Sequence, residues 1–131
     1  MATGCKIEYY EDTPYLDTRL NNTLNEHYVA NMALYGEKIR KESPDIMAAS
    51  TDMGNVTYEV PGIHQFFGIP CKPNIAGHHP DFTEASATPE AQASAIRSGK
   101  GLAMTGWDLL VDESVMATVY NDFEEDKKLR E

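Results

Sequence analysis

Helical patterns outnumber strand patterns in this sequence. Three segments have apolar residues at the three- and four-residue spacing of a helix face: residues 21–36, residues 88–110 and the segment that starts at Asp112. Only two short runs, residues 4–10 and 62–69, have the pattern of a β-strand. An α/β domain usually has about five strands to cover such helices. We therefore expect part of a larger α/β domain, or a chain that packs its helices against a partner.

The two strand-like runs differ in character. Residues 4–10 alternate loosely between polar and apolar side chains, which predicts a short strand. Residues 62–69 are rich in Ile and Phe and lie between Pro61 and Pro70, which predicts a buried strand. His64 falls inside this apolar run, so we interpret it as a core histidine with a hydrogen-bond partner.

The first helix has clear start and stop signals. Asn21, Asn22 or Thr23 is suited to cap its N-terminus, and Gly36 is suited to the left-handed position at its end. His27 is expected at the surface of this helix. The expected buried face comprises Leu24, Tyr28, Val29, Met32 and Tyr35.

The C-terminal part predicts two further helices. Thr88 is a candidate N-cap with Pro89 at the first helical position, and Asp112 is a candidate start for the last helix. That last helix would bury Val115, Val119 and Phe123. The expected buried face of the helix after Thr88 comprises Ala91, Ala95, Ile96, Gly99, Leu102, Ala103, Gly106 and Leu110.

Composition excludes several classes of protein. The chain has 131 residues, a formal net charge of −10 and 41% hydrophobic residues, which indicates a folded chain of about one domain. The negative charge argues against binding to nucleic acid, and no apolar run is long enough to span a membrane. The N-terminus has no signal-peptide pattern. Cys5 and Cys71 form no C-x-x-C pair, so we expect a reducing, cytoplasmic location.

The densest polar cluster is Gly77-His78-His79-Pro80-Asp81-Phe82-Thr83-Glu84. Imidazoles and carboxylates suit zinc, but adjacent His side chains usually point apart, and the cluster is incomplete as a metal site. The plainer interpretation is a polar loop with exposed histidines. Residues 70–87 have no clear period, and a long irregular stretch in a compact domain is typical of a functional segment.

A second cluster, residues 50–55, combines hydroxyls and a carboxylate with Gly54 at a predicted helix start. Plain helix capping is the simpler explanation of this cluster. Glu124 and Glu125 are interpreted as a solvated face of the last helix. The sequence contains no G-x-S-x-G nucleophile elbow and no glycine loop of the nucleotide-binding types.

Three segments of the chain, in their order and their residues, resemble the C-terminal part of one zinc metallopeptidase and amidohydrolase family. The runs are AASTDMGNVTYEVPGIHQFFGI, GHHPDFTEAS and TPEAQASAIRSGKGLAMTGWDLL. The family includes aminoacylases, carnosine-type dipeptidases and glutamate carboxypeptidases, and the likeness is greatest to its aminoacylase-like, dipeptide-cleaving branch. The resemblance covers about residues 2–123.

The resemblance implies an architecture. It predicts the C-terminal part of a three-layer α/β/α catalytic domain, beginning at the last strand of an inserted lid and dimerisation domain. Residues 1–14 would end the lid, and residues 15–131 would belong to the catalytic domain. The full-length form would be a homodimer.

The resemblance also implies site residues. His78 matches the family's last zinc ligand, with His79 as the alternative, and Thr51, Asp52 and Asn55 match a turn beside substrate and metal. Such enzymes use two zinc ions and a glutamate base to hydrolyse amide bonds in dipeptides or N-acyl amino acids.

The rest of the family's site has no match in this chain. The family's H-x-D motif, bridging Asp and Glu-Glu pair belong to its N-terminal half, so about one ligand of five is present. Because a catalytic zinc needs three protein ligands, we expect the chain alone to be inactive. The alternatives are a truncated non-catalytic relative acting as a binding or structural module, a non-functional fragment, or a self-contained acidic domain.

Overall fold

The computed structural model describes residues 3–41, 49–75 and 77–130, and these residues form five helices and no strand. Helices α1, α4 and α5 pack on one another, and α3 lies against α4. Within the described ranges no helix is long and apolar enough to cross a membrane. The helices are α1 (Asn22–Ala33), α2 (Met53–Glu59), α3 (Pro80–Ser86), α4 (Pro89–Val111) and α5 (Glu113–Lys128).

The strands expected at residues 4–10 and 62–69 are absent, so the described part of the chain is helical and does not show the expected α/β class. A strand needs a neighbour to pair its backbone N–H and C=O groups, and the described residues offer none. Ile7 and Tyr9, on the expected strand face, are 69% and 82% exposed. His64 is half-buried, with its ring centroid 5.0 Å from that of Phe66.

Helix α1 begins and ends as predicted. The Asn21 Oδ1 atom accepts the N–H of Leu24 at 3.0 Å, and the Asn21 Nδ2 atom donates to the Val119 carbonyl of α5 at 2.8 Å. Gly36 has φ +75°, and the N–H of Glu37 returns to the carbonyl of Met32. The buried side chains are Leu24, Tyr28, Asn31 and Met32, whereas Val29 and Tyr35, also predicted for the buried face, are half-buried and exposed.

Helix α4 packs on α1 through a face other than the predicted one. The Thr88 side chain caps it as expected, accepting the N–H of Ala91 at 3.2 Å. Its buried residues are Ala91, Ser98, Gly101 and Thr105. Of the predicted face only Ala91 is buried, because small side chains let α4 approach Tyr28 and Met32 closely at Gly101. The other predicted residues lie exposed or half-buried: Ala95, Ile96, Gly99, Leu102, Ala103, Gly106 and Leu110.

Helix α5 matches its prediction closely. The Asp112 carboxylate accepts the backbone N–H groups of Ser114 and Val115 at 2.9 and 3.4 Å, so it caps the helix. Of the predicted face, Val119 and Phe123 are buried and Val115 is half-buried. Residues 70–87, expected to be irregular, contain the short helix α3, which begins at Pro80 directly after the N-cap residue His79.

Candidate functional site

Helix α2 is held by a segment that passes across it. The backbone of residues 14–19, which we call segment 14–19, crosses α2 so closely that any Cβ at Gly54 would overlap the Leu16 carbonyl. The Thr57 Oγ1 atom accepts the N–H of Arg19 at 3.0 Å, and Tyr58 donates its hydroxyl to the Asp17 carboxylate at 2.7 Å. Segment 14–19 therefore fixes α2 at three successive points.

Asn55 uses both ends of its amide for this purpose. Its Oδ1 atom accepts the N–H of Leu16 at 3.0 Å, and its Nδ2 atom donates to the carbonyl of Pro14 at 3.0 Å. An amide with both groups paired to backbone is a structural clamp. The resemblance places Asn55 beside substrate, and in this structure its side chain holds the backbone of Pro14 and Leu16.

Two arginines tie segment 14–19 to the end of α5. Arg19 Nε donates to Asp126 Oδ1 at 3.1 Å, and Arg130 Nε donates to Asp126 Oδ2 at 2.8 Å. The Arg130 guanidinium lies 4.5 Å from the centroid of the Tyr58 ring, a cation–π contact. Hydrogen bonds from Arg19, and next from Arg130, hold the pKa of Asp126 below its ordinary value, although burial opposes them.

Thr51 and Asp52 occupy the start of α2. The Thr51 Oγ1 atom accepts the N–H of Met53 at 3.3 Å, and the side chain is half-buried. Asp52 is the N-cap residue by position but makes no capping hydrogen bond with its side chain, and it is exposed. The Asp52 carboxylate is thus exposed and free of helix capping.

The two adjacent histidines have different environments. His78 has φ +68°, a left-handed backbone that costs a non-glycine residue about 1–3 kcal/mol, and it is exposed. His79 caps α3, with its Nδ1 atom accepting the N–H of Asp81 at 3.1 Å. A neutral imidazole that accepts at Nδ1 carries its proton on Nε2, so this tautomer offers no free nitrogen to a metal.

The described residues do not assemble a zinc site. Across residues 3–41, 49–75 and 77–130, no group of three or more His, Cys, Asp or Glu side chains is placed to hold a metal ion. Asp81, beside the histidines, is paired with Lys72 at 2.7 Å. The two predicted clusters, residues 50–55 and residues 77–84, contact different elements. Segment 14–19 packs on α2, whereas α3 contacts α4.

A polar contact between α1 and α4 was not predicted. His27, expected at the surface, is half-buried with its Nδ1 atom 3.0 Å from Asp108 Oδ2, and Asn31 donates to the same oxygen at 2.9 Å. The His27 hydrogen bond is the main cause of a lowered pKa for Asp108. These partners are 81 and 77 positions apart, so no local pattern could reveal them.

Two curated relatives match this chain over almost its whole length, and both are dipeptidases. They are named Xaa-Arg dipeptidase: the Homo sapiens protein is 35% identical over 130 residues and the Mus musculus protein is 32% identical over 126 residues. Each match covers 94% of this chain but only 28% and 29% of the relatives, so the chain spans less than a third of their length. No family model and no solved structure matches it. The relatives support the expected C-terminal portion of a dipeptidase.

Proposed function

We propose that this chain is the C-terminal segment of a dipeptidase of the zinc metallopeptidase and amidohydrolase family. The observation that carries the proposal is 35% identity across 94% of the chain to a human Xaa-Arg dipeptidase. The reaction would be hydrolysis of an amide bond in a dipeptide or an N-acyl amino acid. The names of both relatives point to dipeptides with a C-terminal arginine.

Acidic charge supports a cationic substrate. The chain carries a formal charge of −10, and a negative surface attracts a cation from solution before any contact forms. The carboxylate of Asp52 is exposed and makes no capping hydrogen bond to α2, and we assign it to substrate binding in the turn formed by Ser50, Thr51 and Asp52. Thr51 lies beside it, and Asn55 would act by holding the turn.

We assign one zinc ligand of the assembled enzyme to His78 rather than His79. The support is chemical: His79 uses Nδ1 as the cap acceptor of α3, whereas His78 is exposed and held in a strained backbone conformation. The described residues do not fit a complete zinc site, so the remaining ligands belong to polypeptide that this chain does not supply. Zinc content of the assembled enzyme should fall with His78→Ala and persist with His79→Asn, because Asn keeps the cap.

The division at residue 14 and the cytoplasmic location belong to the same proposal. The hydrogen bonds described for residues 3–13 are local, and contacts with α2 start at Pro14, which supports a boundary there. Cys5 and Cys71 are free and exposed, as suits a reducing compartment. Homodimerisation through the lid would be a property of the full-length form.

Release of arginine from a dipeptide such as Ala-Arg tests the proposal. The assay compares this chain alone, a polypeptide comprising the part of the human relative outside the match, and the two together with zinc. We expect activity only in the mixture. The rival, a non-catalytic module of the same ancestry, predicts that the mixture stays as inactive as its parts even when the two polypeptides bind.

A further inference from the structure

Helix α4 has a second apolar face that no described residue covers. Ile96, Trp107 and Leu110 are 60%, 63% and 79% exposed. Ile96 and Ala103 each lie two positions before a buried residue, Ser98 and Thr105. Two positions turn a helix by about 200°, so the exposed residues lie opposite the face that packs on α1. We call the residues Ile96, Gly99, Ala103, Trp107 and Leu110 the outer face of α4.

The outer face is uncharged and shaped for close contact. Gly99 has nothing within 4 Å of a Cβ built on it, so the middle of the face is open. The nearby cations are directed to the residues that follow α1, since Arg97 pairs with Glu37 at 2.9 Å and Lys100 lies 6.0 Å from the Tyr35 ring centroid. An uncharged apolar face on so acidic a chain fits an apolar partner layer, because exposed patches of this kind usually mark interaction sites.

We infer that the outer face of α4 is the docking surface for the part of the dipeptidase that lies outside this chain. The inference rests on the proposed function. The match covers 28% of the human relative, so more than two thirds of such an enzyme remains to supply the apolar layer. A second copy is the weaker occupant, because each copy brings a charge of −10 and the two would repel.

Trp107 reports directly on this surface, since it is the one tryptophan of the chain. We would label the chain with 5-fluorotryptophan and record its ¹⁹F spectrum while adding the unlabelled remainder of the human relative. The variants are Ile96→Asp and Leu110→Asp. Leu34→Asp is the matched control, because Leu34 is 75% exposed and, like Leu110, lies at the C-terminal end of its helix. Circular dichroism confirms that each variant remains helical.

The inference predicts a ¹⁹F shift on adding the remainder, with affinity weakened roughly tenfold or more by Leu110→Asp and little changed by Leu34→Asp. A shift that depends on the concentration of this chain alone would assign the face to a second copy and overturn the inference. Absence of any shift, or equal binding by Leu110→Asp, would also overturn it. Docking without arginine release would instead refute the proposed function and leave the docking surface intact.

Discussion

The backbone carbonyl of Leu16 lies directly against the Cα atom of Gly54 at the start of α2. A Cβ at residue 54 would overlap that carbonyl, and the obstacle is backbone rather than the end of a flexible side chain. The glycine is therefore required by the crossing of segment 14–19, which also carries the hydrogen bonds to Asn55 and Thr57.

Gly54→Ala should destabilise the chain. We expect a loss of about 1–3 kcal/mol in the free energy of unfolding, or more, because segment 14–19 must move away from α2. Gly99→Ala is the control, since a Cβ there meets nothing within 4 Å and should stabilise α4 by roughly 0.5–1 kcal/mol. Urea unfolding measures both, and equal stability of the two variants would contradict the close approach at Gly54.

The buried hydroxyl pair between α1 and α4 should show energetic coupling. Tyr28 is fully buried, and its hydroxyl lies 2.9 Å from the Ser98 Oγ atom. Tyr28→Phe leaves the buried Ser98 hydroxyl without its partner, which should cost about 1–3 kcal/mol. In urea unfolding, Tyr28→Phe combined with Ser98→Ala should cost less than the sum of the single changes. Additive costs would show that the two hydroxyls do not interact.

Stability should fall in acid because of Asp126. Its pKa lies below the ordinary value through its bonds to Arg19 and Arg130. A carboxylate whose pKa is lower in the folded than in the unfolded state stabilises the fold above about pH 4, and that contribution is lost as pH falls through the folded-state pKa. Asp126→Asn should flatten the acid side of the curve of unfolding free energy against pH. Glu124→Gln, on the exposed side of α5, should leave it unchanged, and equal curves for all three proteins would contradict the ion pairs.

Helix ends were predictable because capping is local chemistry. Asn21, Thr88 and Asp112 each bond to backbone two or three residues away, so sequence alone identified Thr88 and Asp112 and narrowed the first cap to Asn21, Asn22 or Thr23. The absence of strands at residues 4–10 and 62–69 was not predictable in this way. A strand forms only beside a partner strand, and the described residues contain no such partner.

The faces of α4 show the limit of periodicity most clearly. This helix has a small-residue side around Gly101 and a larger apolar side around Leu110, and the pattern does not say which neighbour is present. The predicted apolar face is the one left exposed in the chain. The bonds of Asn55 to Pro14 and Leu16 were equally unpredictable, because they join positions 41 and 39 residues apart, which no local motif encodes.

Arginine release by the assembled dipeptidase, measured when His78 is changed, tests most directly whether this chain contributes to the dipeptidase site. The assay mixes each variant of this chain with the remainder of the human relative, zinc and an Xaa-Arg dipeptide. We expect His78→Ala to abolish arginine release, whereas His79→Asn, which preserves the α3 cap, should retain it. Arginine release undiminished by His78→Ala, or lost only with His79→Asn, would contradict the assignment of this chain to the dipeptidase site through His78.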